Sequence, residues 1–419
     1  MANGTDAAAE TVRVAGHLID SGILTAILDD IRTYGGDFTM TDLQVGKDIG
    51  DASSAMIEVR SDSEASLQRL LMRLQTHGAN LIDAGEPDIA TADTDGVFPD
   101  GFYSTTNLPT QVWLGRSWVG VEHPEMDCGL EVYGPDTAPR ARTIPMSDVR
   151  AGMRIVCSAQ GVRVIAPPRV RGDEEFGFMD SAVSSEKPQA VLVRRVADAM
   201  RSAKAEGKKV LWVGGPAVVH TGAAPAMVAM VDAGYVDLLF AGNALATHDI
   251  ESALFGTSLG VDLARGQGVK HGHEHHIRAI NQIRRCGSIA AAVQQGVLTT
   301  GVMNALVRAG SRYVLVGSVR DDGPLPDVYT DVLEGQRAMR TELWRDSGVG
   351  FCLMVATMLH SVATGNILPA SVPLVCVDIN PATVTKLADR GSAQAQGIVT
   401  DVGLFLHQLA AELTDYRIG

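Results

Sequence analysis

Basic runs are missing from this sequence: 35 Lys and Arg stand against 49 Asp and Glu, and the formal net charge is −14. A chain of that sign is repelled by phosphate backbones and anionic lipid, which excludes nucleic acid and membrane surfaces as expected partners. Cysteine is scarce as well. Cys128, Cys157, Cys286, Cys352 and Cys376 are scattered, odd in number and never spaced CxxC. That pattern excludes a disulfide framework and a zinc ribbon and fits a reducing compartment. No apolar run reaches the ~18 residues of a membrane span. Met1 to Glu10 has neither a basic nor an apolar signal region, so the expected location is the cytoplasm. The P-loop and GxGxxG are also absent. Phosphoryl transfer therefore finds no support, and the usual dinucleotide fingerprint is missing.

What is present is 419 residues, 46% hydrophobic and 20% charged, enough for two or three soluble domains. Residues 11–85 alternate strand and helix patterns in the order βαββαβ, with Leu67, Leu70, Leu71 and Leu74 on one helical face. That order predicts a small ferredoxin-like α+β N-terminal domain, a fold that by analogy binds amino acids or mediates dimerisation. Glu86 to Asp95 is acidic and turn-rich and reads as a linker. Residues 97–187 are rich in Gly and Pro with short strands and predict a β-rich middle module on the substrate side. Within it, Phe98 to Thr110 sets aromatic residues beside Ser104, Thr105, Thr106 and Asn107. Such a run suits contact with a small zwitterion, and equally a hydrogen-bonded surface loop. Met126, Asp127 and Arg154 are weaker candidates of the same kind.

Residues 188–419 alternate helices with short apolar runs, which predicts a C-terminal Rossmann-like parallel sheet. Four strands are expected, at 210–213, 237–240, 313–316 and 374–377, each running into small or polar residues. Glycines at such ends let backbone approach a ligand, and the helix N-termini beside them can hold a diphosphate. The last of these strands ends at Asp378-Ile379-Asn380-Pro381. A carboxylate there can accept two hydrogen bonds from a ribose diol and repel a 2′-phosphate, favouring NAD over NADP; it can also simply cap a tight turn. Asp321-Asp322 allows the same two readings, a turn with a cap or a carboxylate that holds an ammonium or moves protons. His271-Gly272-His273-Glu274-His275-His276 has metal-like spacings, yet Gly272 and the lack of further ligands favour a helix start with partly buried imidazoles. A single histidine there, or His248 or His360, can serve as an acid or base.

Read together, FPDGFYSTTNLP (98–109), AGNALATHDIE (241–251) with GTSLG (256–260), GSVRDDGPLPD (317–327) and VDINPATVTKL (377–387) resemble the LOR/SDH-domain family. That family includes the archaeal alternative ornithine cyclodeaminases and the C-terminal part of the cyanobacterial arginine dihydrolase/ornithine cyclodeaminases. The resemblance spans nearly all of residues 12–413. The amidinotransferase-like domain of the cyanobacterial fusions has no counterpart, so arginine dihydrolase activity is not implied. The C-terminal half is similar to the NAD domain of deoxyhypusine synthase. By motif the resemblance implies NAD as cofactor, held by Gly214, Gly215, Asn243, Ala244, Gly317, Ser318, Asp378, Asn380 and Asp401. Ser104, Thr105, Asn107 and Arg320 are the substrate-binding candidates, with Arg320 or Arg154 as the carboxylate clamp. Asp322, His273 and Lys386 are assigned as catalytic candidates on chemistry and position.

The implied reaction takes L-ornithine to L-proline and ammonia. Hydride leaves the α-carbon for NAD, the δ-amine attacks the resulting imine, ammonia departs and the cyclic imine takes the hydride back. Lysine, a diaminobutyrate or a polyamine is an alternative substrate, because one methylene changes binding by only ~1–3 kcal/mol. An ordinary amino-acid dehydrogenase and a non-catalytic NAD and amino-acid sensor are the competing readings. The expected partners are a small amino-acid substrate and further copies of the chain in a homo-oligomer.

Overall fold

The computed structural model describes residues 8–19, 22–47, 51–83, 85–165, 189–259, 261–262, 274–321, 323–389 and 395–417. The chain divides into two compact units, Met1–Gly177 with Asn366–Ser371 and Phe178–Gly365 with Val372–Gly419. The first unit carries two sheets and the second carries a parallel one.

The N-terminal sheet follows the expected order: β1 (Ala8–Gly16), α1 (Ile23–Thr33), β2 (Asp37–Gln44), β3 (Ser53–Ser61), α2 (Glu64–Gln75) and β4 (Asn80–Leu81). Its strands run β2-β3-β1-β4, all antiparallel, which is the ferredoxin-like arrangement. In β3 every second residue from Ser53 to Ser61 is buried, so Ala55, Ile57 and Val59 face the helices. Ser63 caps α2 by accepting the Ser66 N–H, and Leu67, Leu70, Leu71 and Leu74 fill the space between helix and sheet.

The second sheet holds β5 (Ile89–Thr91), β6 (Thr110–Leu114), β7 (Ser117–Glu122), β8 (Gly129–Tyr133), β9 (Arg140–Ile144), β10 (Arg154–Val156) and β11 (Val162–Val164). They run β11-β6-β7-β9-β8-β10-β5, antiparallel except for β7 and β9. The stretch read as a linker therefore supplies an edge strand, with Ile89, Ala90 and Thr91 paired to β10. Acidic flanks disguised three residues of strand. Gln75 ties the two sheets together, its Nε2 donating to Val162 O at 2.8 Å and Ala159 O at 3.2 Å.

In the second unit the elements are α3 (Gln189–Ala205), β12 (Lys209–Gly214), α4 (Ala217–His220), α5 (Ala224–Asp232), β13 (Leu238–Gly242) and α6 (Asn243–Phe255). A short ribbon, β14 (Thr257–Ser258) and β15 (Val261–Asp262), precedes α7 (His275–Cys286), α8 (Ile289–Gln294) and α9 (Val302–Ala309). Then come β16 (Arg312–Val316), β17 (Val328–Tyr329), α10 (Val332–Leu343), β18 (Val349–Val355), α11 (Met358–Ile367), β19 (Leu374–Asp378), α12 (Pro381–Asp389), β20 (Ala395–Val399) and α13 (Val402–Leu413). The sheet order is β17-β16-β13-β12-β18-β19-β20, parallel throughout. Strands buried on both faces explain the unbroken apolar runs, and β19 is buried at every position. Among the described residues no helix is long and apolar enough to cross a membrane.

One buried charge fastens this unit. Asp249 on α6 caps α9 from outside, accepting the N–H groups of Val302 and Met303, both at 2.8 Å. Burial pushes its carboxyl from 3.8 up to about 6, against the two N–H donors. A carboxyl that holds its proton more tightly when folded stabilises below its unfolded pKa, and that contribution fades as pH rises through about 6. Asp249→Asn leaves one buried N–H without an acceptor, at a cost of ~1–3 kcal/mol. Thermal melts of both proteins from acid to neutral pH should show the wild-type advantage narrowing across that range; a widening gap contradicts the assignment.

Candidate active site

The connections leaving β12 run to one side of the sheet and those leaving β18 to the other. The two central strands therefore form the topological switch point, outside whose carboxyl ends open α/β sheets bind ligands. Gly214 ends β12, and the Gly215 N–H donates to Val355 O at 2.9 Å, joining the two strand ends. A Cβ on Gly215 would lie 1.8 Å from Ala356 O, so only glycine lets these backbones meet. Ala356 turns the chain with a φ of 53°, uncommon for a residue with a side chain. Its N–H donates to Val377 O at 3.0 Å, and α11 begins two residues later. The expected set of four strands lacked β18, so the switch point was not located from sequence.

Asp378 stands at the end of β19, next to β18, and is 8% exposed. Its Oδ1 accepts the Asn380 N–H at 2.8 Å, and among the described residues Oδ2 carries no hydrogen bond. The capping role and a free acceptor thus coexist in one carboxylate. Burial, reinforced by the Asp378 charge, pushes the neighbouring Cys376 thiol up to about 12, so it remains protonated. Asn380 is exposed and accepts the Ala382 N–H at 3.0 Å. Asp401, after β20, caps α13 through the Leu404 N–H at 2.8 Å. Lys386 is exposed on α12, its Nζ 3.8 Å from the Met358 sulfur at the start of α11. His360, on the first turn of α11, donates to the Ala241 carbonyl and brings Cε1 within 3.3 Å of where a Gly242 Cβ would stand. Burial lowers the pKa of its ring, favouring the neutral form.

On the other side of the switch, β13 runs directly into α6. Asn243 is buried at the helix start, accepting the Leu325 N–H at 3.1 Å and donating to Asp321 Oδ1 at 3.2 Å. Asp321 Oδ2 in turn accepts from the backbone N–H and the hydroxyl of Ser318. Asn243, Ser318 and Asp321 therefore lock the turn after β16, and Ala244 and Gly317 supply backbone beside them. Arg320 is exposed in that turn. Asp322 and His273 lie outside the described residues. His275 and His276 open α7 as partly buried imidazoles, and no group of three or more metal-ligating side chains occurs among the described residues.

In the first unit, Thr105 and Asn107 face inward. Thr105 Oγ1 donates to Glu125 O at 2.7 Å and accepts the Cys128 N–H at 3.0 Å. Asn107 Nδ2 donates to Leu368 O at 3.1 Å, and its carbonyl accepts the Ala370 N–H at 2.9 Å. Both side chains build the loop, holding 123–128 and 366–371, while Ser104 is exposed. Arg154 pairs with Asp136 at 3.4 Å on the surface. Asn107→Ala strips a buried carbonyl of its donor, and the melting free energy should fall by ~1–3 kcal/mol. An unchanged chemical-denaturation midpoint would refute that role.

The switch-point cradle that a Cβ would fill, the free carboxylate oxygen of Asp378 and the N-terminus of α11 together suit a dinucleotide. Comparisons with known proteins agree. Three family descriptions match in succession: the LOR/SDH bifunctional enzyme conserved region over residues 9–108, the first region of the arginine dihydrolase ArgZ-like C-terminal part over 109–193, and its Rossmann fold over 194–409. A protein of Methanothermobacter thermautotrophicus named ornithine cyclodeaminase is 49% identical over 403 residues, 96% of this chain and 97% of its own length. The crystal structure of apo ArgZ, an arginine dihydrolase from the ornithine-ammonia cycle in cyanobacteria, superposes with a TM-score of 0.85 at 36% identity. That of AgrE in ternary complex with ornithine and NAD+ does so with a TM-score of 0.52 at 39% identity. Each alignment covers 98% of this chain and 58% of the other.

Proposed function

The chain belongs to the LOR/SDH family with ArgZ-like C-terminal domains, and we propose that it is an NAD-dependent ornithine cyclodeaminase, converting L-ornithine into L-proline and ammonia. The observation that carries the reading is the carboxylate of Asp378 beside the switch point, in a chain matched over 96% of its length by a relative of that name. When bound, NAD takes up a hydride from the substrate α-carbon and gives it back, so the net reaction involves no change of oxidation state.

The chain's own residues have separable tasks. Asp378 accepts hydrogen bonds from a ribose diol and repels a 2′-phosphate. Gly214 and Gly215 keep the central crevice free of side chains, and Asn243 with Ser318 holds the rim formed by Ala244 and Gly317. Asn380 and Asp401 shape the turns after β19 and β20. Arg320 is the candidate cation for the substrate carboxylate; in the first unit, Thr105 and Asn107 fix the loop that bears the candidate Ser104. Asp322, His273 and Lys386 remain candidates for proton transfer.

The test is an end-point assay of the purified protein with L-ornithine and catalytic NAD. Proline and ammonia should form in equal amounts, far above the NAD supplied. Accumulation of NADH in step with substrate loss, or no product at all, would sink the reading.

A further inference from the structure

A cluster of titratable side chains joins α4, α6, β14 and α7 beside the proposed nucleotide site. His248, on the second turn of α6, places Nδ1 2.8 Å from Glu251 Oε2. Glu251 has no exposed surface; its Oε1 accepts the Thr257 hydroxyl at 2.9 Å and its Oε2 accepts the Leu259 N–H at 3.2 Å. The Thr257 hydroxyl also lies 2.8 Å from His275 Nδ1. His220, at the end of α4, sits with Nδ1 2.6 Å from Ser258 Oγ and its ring 4.8 Å from that of His248. The ring of His276 is 6.4 Å from His248 on the far side.

Position and geometry suit this cluster to handling protons. Both rings stand on helices that follow the switch-point strands: His220 ends α4, after Gly214-Gly215-Pro216, and His248 lies on α6, which begins at Asn243. The Nδ1–H of His248 donates to Glu251, which fixes the tautomer and leaves Nε2 as the basic atom of the neutral ring. Its side chain is 12% exposed, while that of Glu251 is fully buried. Burial first, and His248 next, lower the pKa of His220, which favours its neutral ring. Among the described residues, His275 and His276 on α7 are the other titratable groups beside the cluster; Asp249 faces α9 instead.

We propose that His248, oriented by Glu251, is the base that takes the proton from the α-ammonium of the substrate, with His220 as a positioning partner. The assignment rests on the cyclodeaminase reading above. An ammonium nitrogen has no lone pair with which to form a C=N bond, so one N–H bond must break first. The proton moves to His248 Nε2, giving a neutral amine and an imidazolium. When the nitrogen later departs, the C–N bond breaks and the same proton returns to it, so the enzyme ends each turnover as it began.

The wild-type enzyme, His248→Gln and Glu251→Gln are compared for proline formation as a function of pH, with melting temperature and NAD affinity measured alongside. His248→Gln should lose ~10²–10⁴ in kcat while KM and NAD affinity stay within a few-fold. Glu251→Gln should move the acid limb of kcat/KM to lower pH, because the imidazolium loses its carboxylate. A folded His248→Gln enzyme with nearly unchanged kcat, or a folded Glu251→Gln enzyme with the limb in place, overturns the assignment. Should neither variant fold, the wild-type profile decides: an acid limb within about pH 5–8 supports it and a flat profile overturns it. A wild-type enzyme that makes no proline refutes the cyclodeaminase reading itself, whereas an active enzyme that tolerates His248→Gln refutes only the base.

Discussion

Replacing Gly215 with alanine should lower NAD affinity by at least ~100-fold, equivalent to ~2.7 kcal/mol, and lower the melting temperature as well. The added Cβ would stand 1.8 Å from Ala356 O, 2.7 Å from its carbonyl carbon and 3.1 Å from Thr357 Cβ. The obstacle is backbone, and it cannot swing aside. Gly215 is bonded to Val355, and Ala356 to Val377, so relief requires the two central strands to part at their carboxyl ends. Overpacking of that kind costs ~1–3 kcal/mol and more where backbone is trapped. Gly323→Ala is the control, because a Cβ there meets nothing within 4 Å. Calorimetric titration with NAD and a thermal melt check both proteins. Wild-type affinity in the Gly215→Ala protein would show that the dinucleotide does not use this crevice.

Asp378→Asn should weaken NAD by ~10–100-fold, since hydrogen bonds to a charged acceptor contribute ~1.5–3 kcal/mol. Asparagine retains an acceptor for the Asn380 N–H, so the turn survives while the charge is lost. The same change should narrow the preference for NAD over NADP, because nothing then repels a 2′-phosphate. Asp378→Ala removes the cap too and should lower stability by ~1 kcal/mol in addition. Measuring the two cofactor affinities for each variant separates these roles. An unaltered NAD to NADP ratio would assign Asp378 to the turn alone.

Periodicity carried the N-terminal sheet, because alternating burial in β3 and the leucine face of α2 are local patterns. The four strands that end in glycine or Asn-Pro turns were legible instead as unbroken apolar runs, which are also local. β18 escaped, although Val349 to Val355 is a seven-residue apolar strand. Its turn is made by Ala356 with a φ of 53°, a geometry that composition does not advertise. Missing that strand hid the switch point, because β18 is the strand that stands between β12, which ends at Gly214, and β19, which ends at Asp378. The polar loop at 104–107 was legible as a feature, but polarity does not say which way a side chain faces. Thr105 and Asn107 turn inward to satisfy buried backbone, as buried polar groups must. Of the histidine pair, His248 was legible as a candidate acid or base and His220 was not singled out. His220 and His248 lie far apart in sequence, and their meeting over Glu251 exists only once α4 packs on α6.

Loan and return of one hydride at a closed site is tested most directly with L-ornithine deuterated at the α-carbon, converted in the presence of unlabelled NAD. Mass spectrometry of the product should find the deuterium retained at the α-carbon of proline, turnover after turnover. Proline free of deuterium, with the label in the cofactor pool or in water, would contradict it.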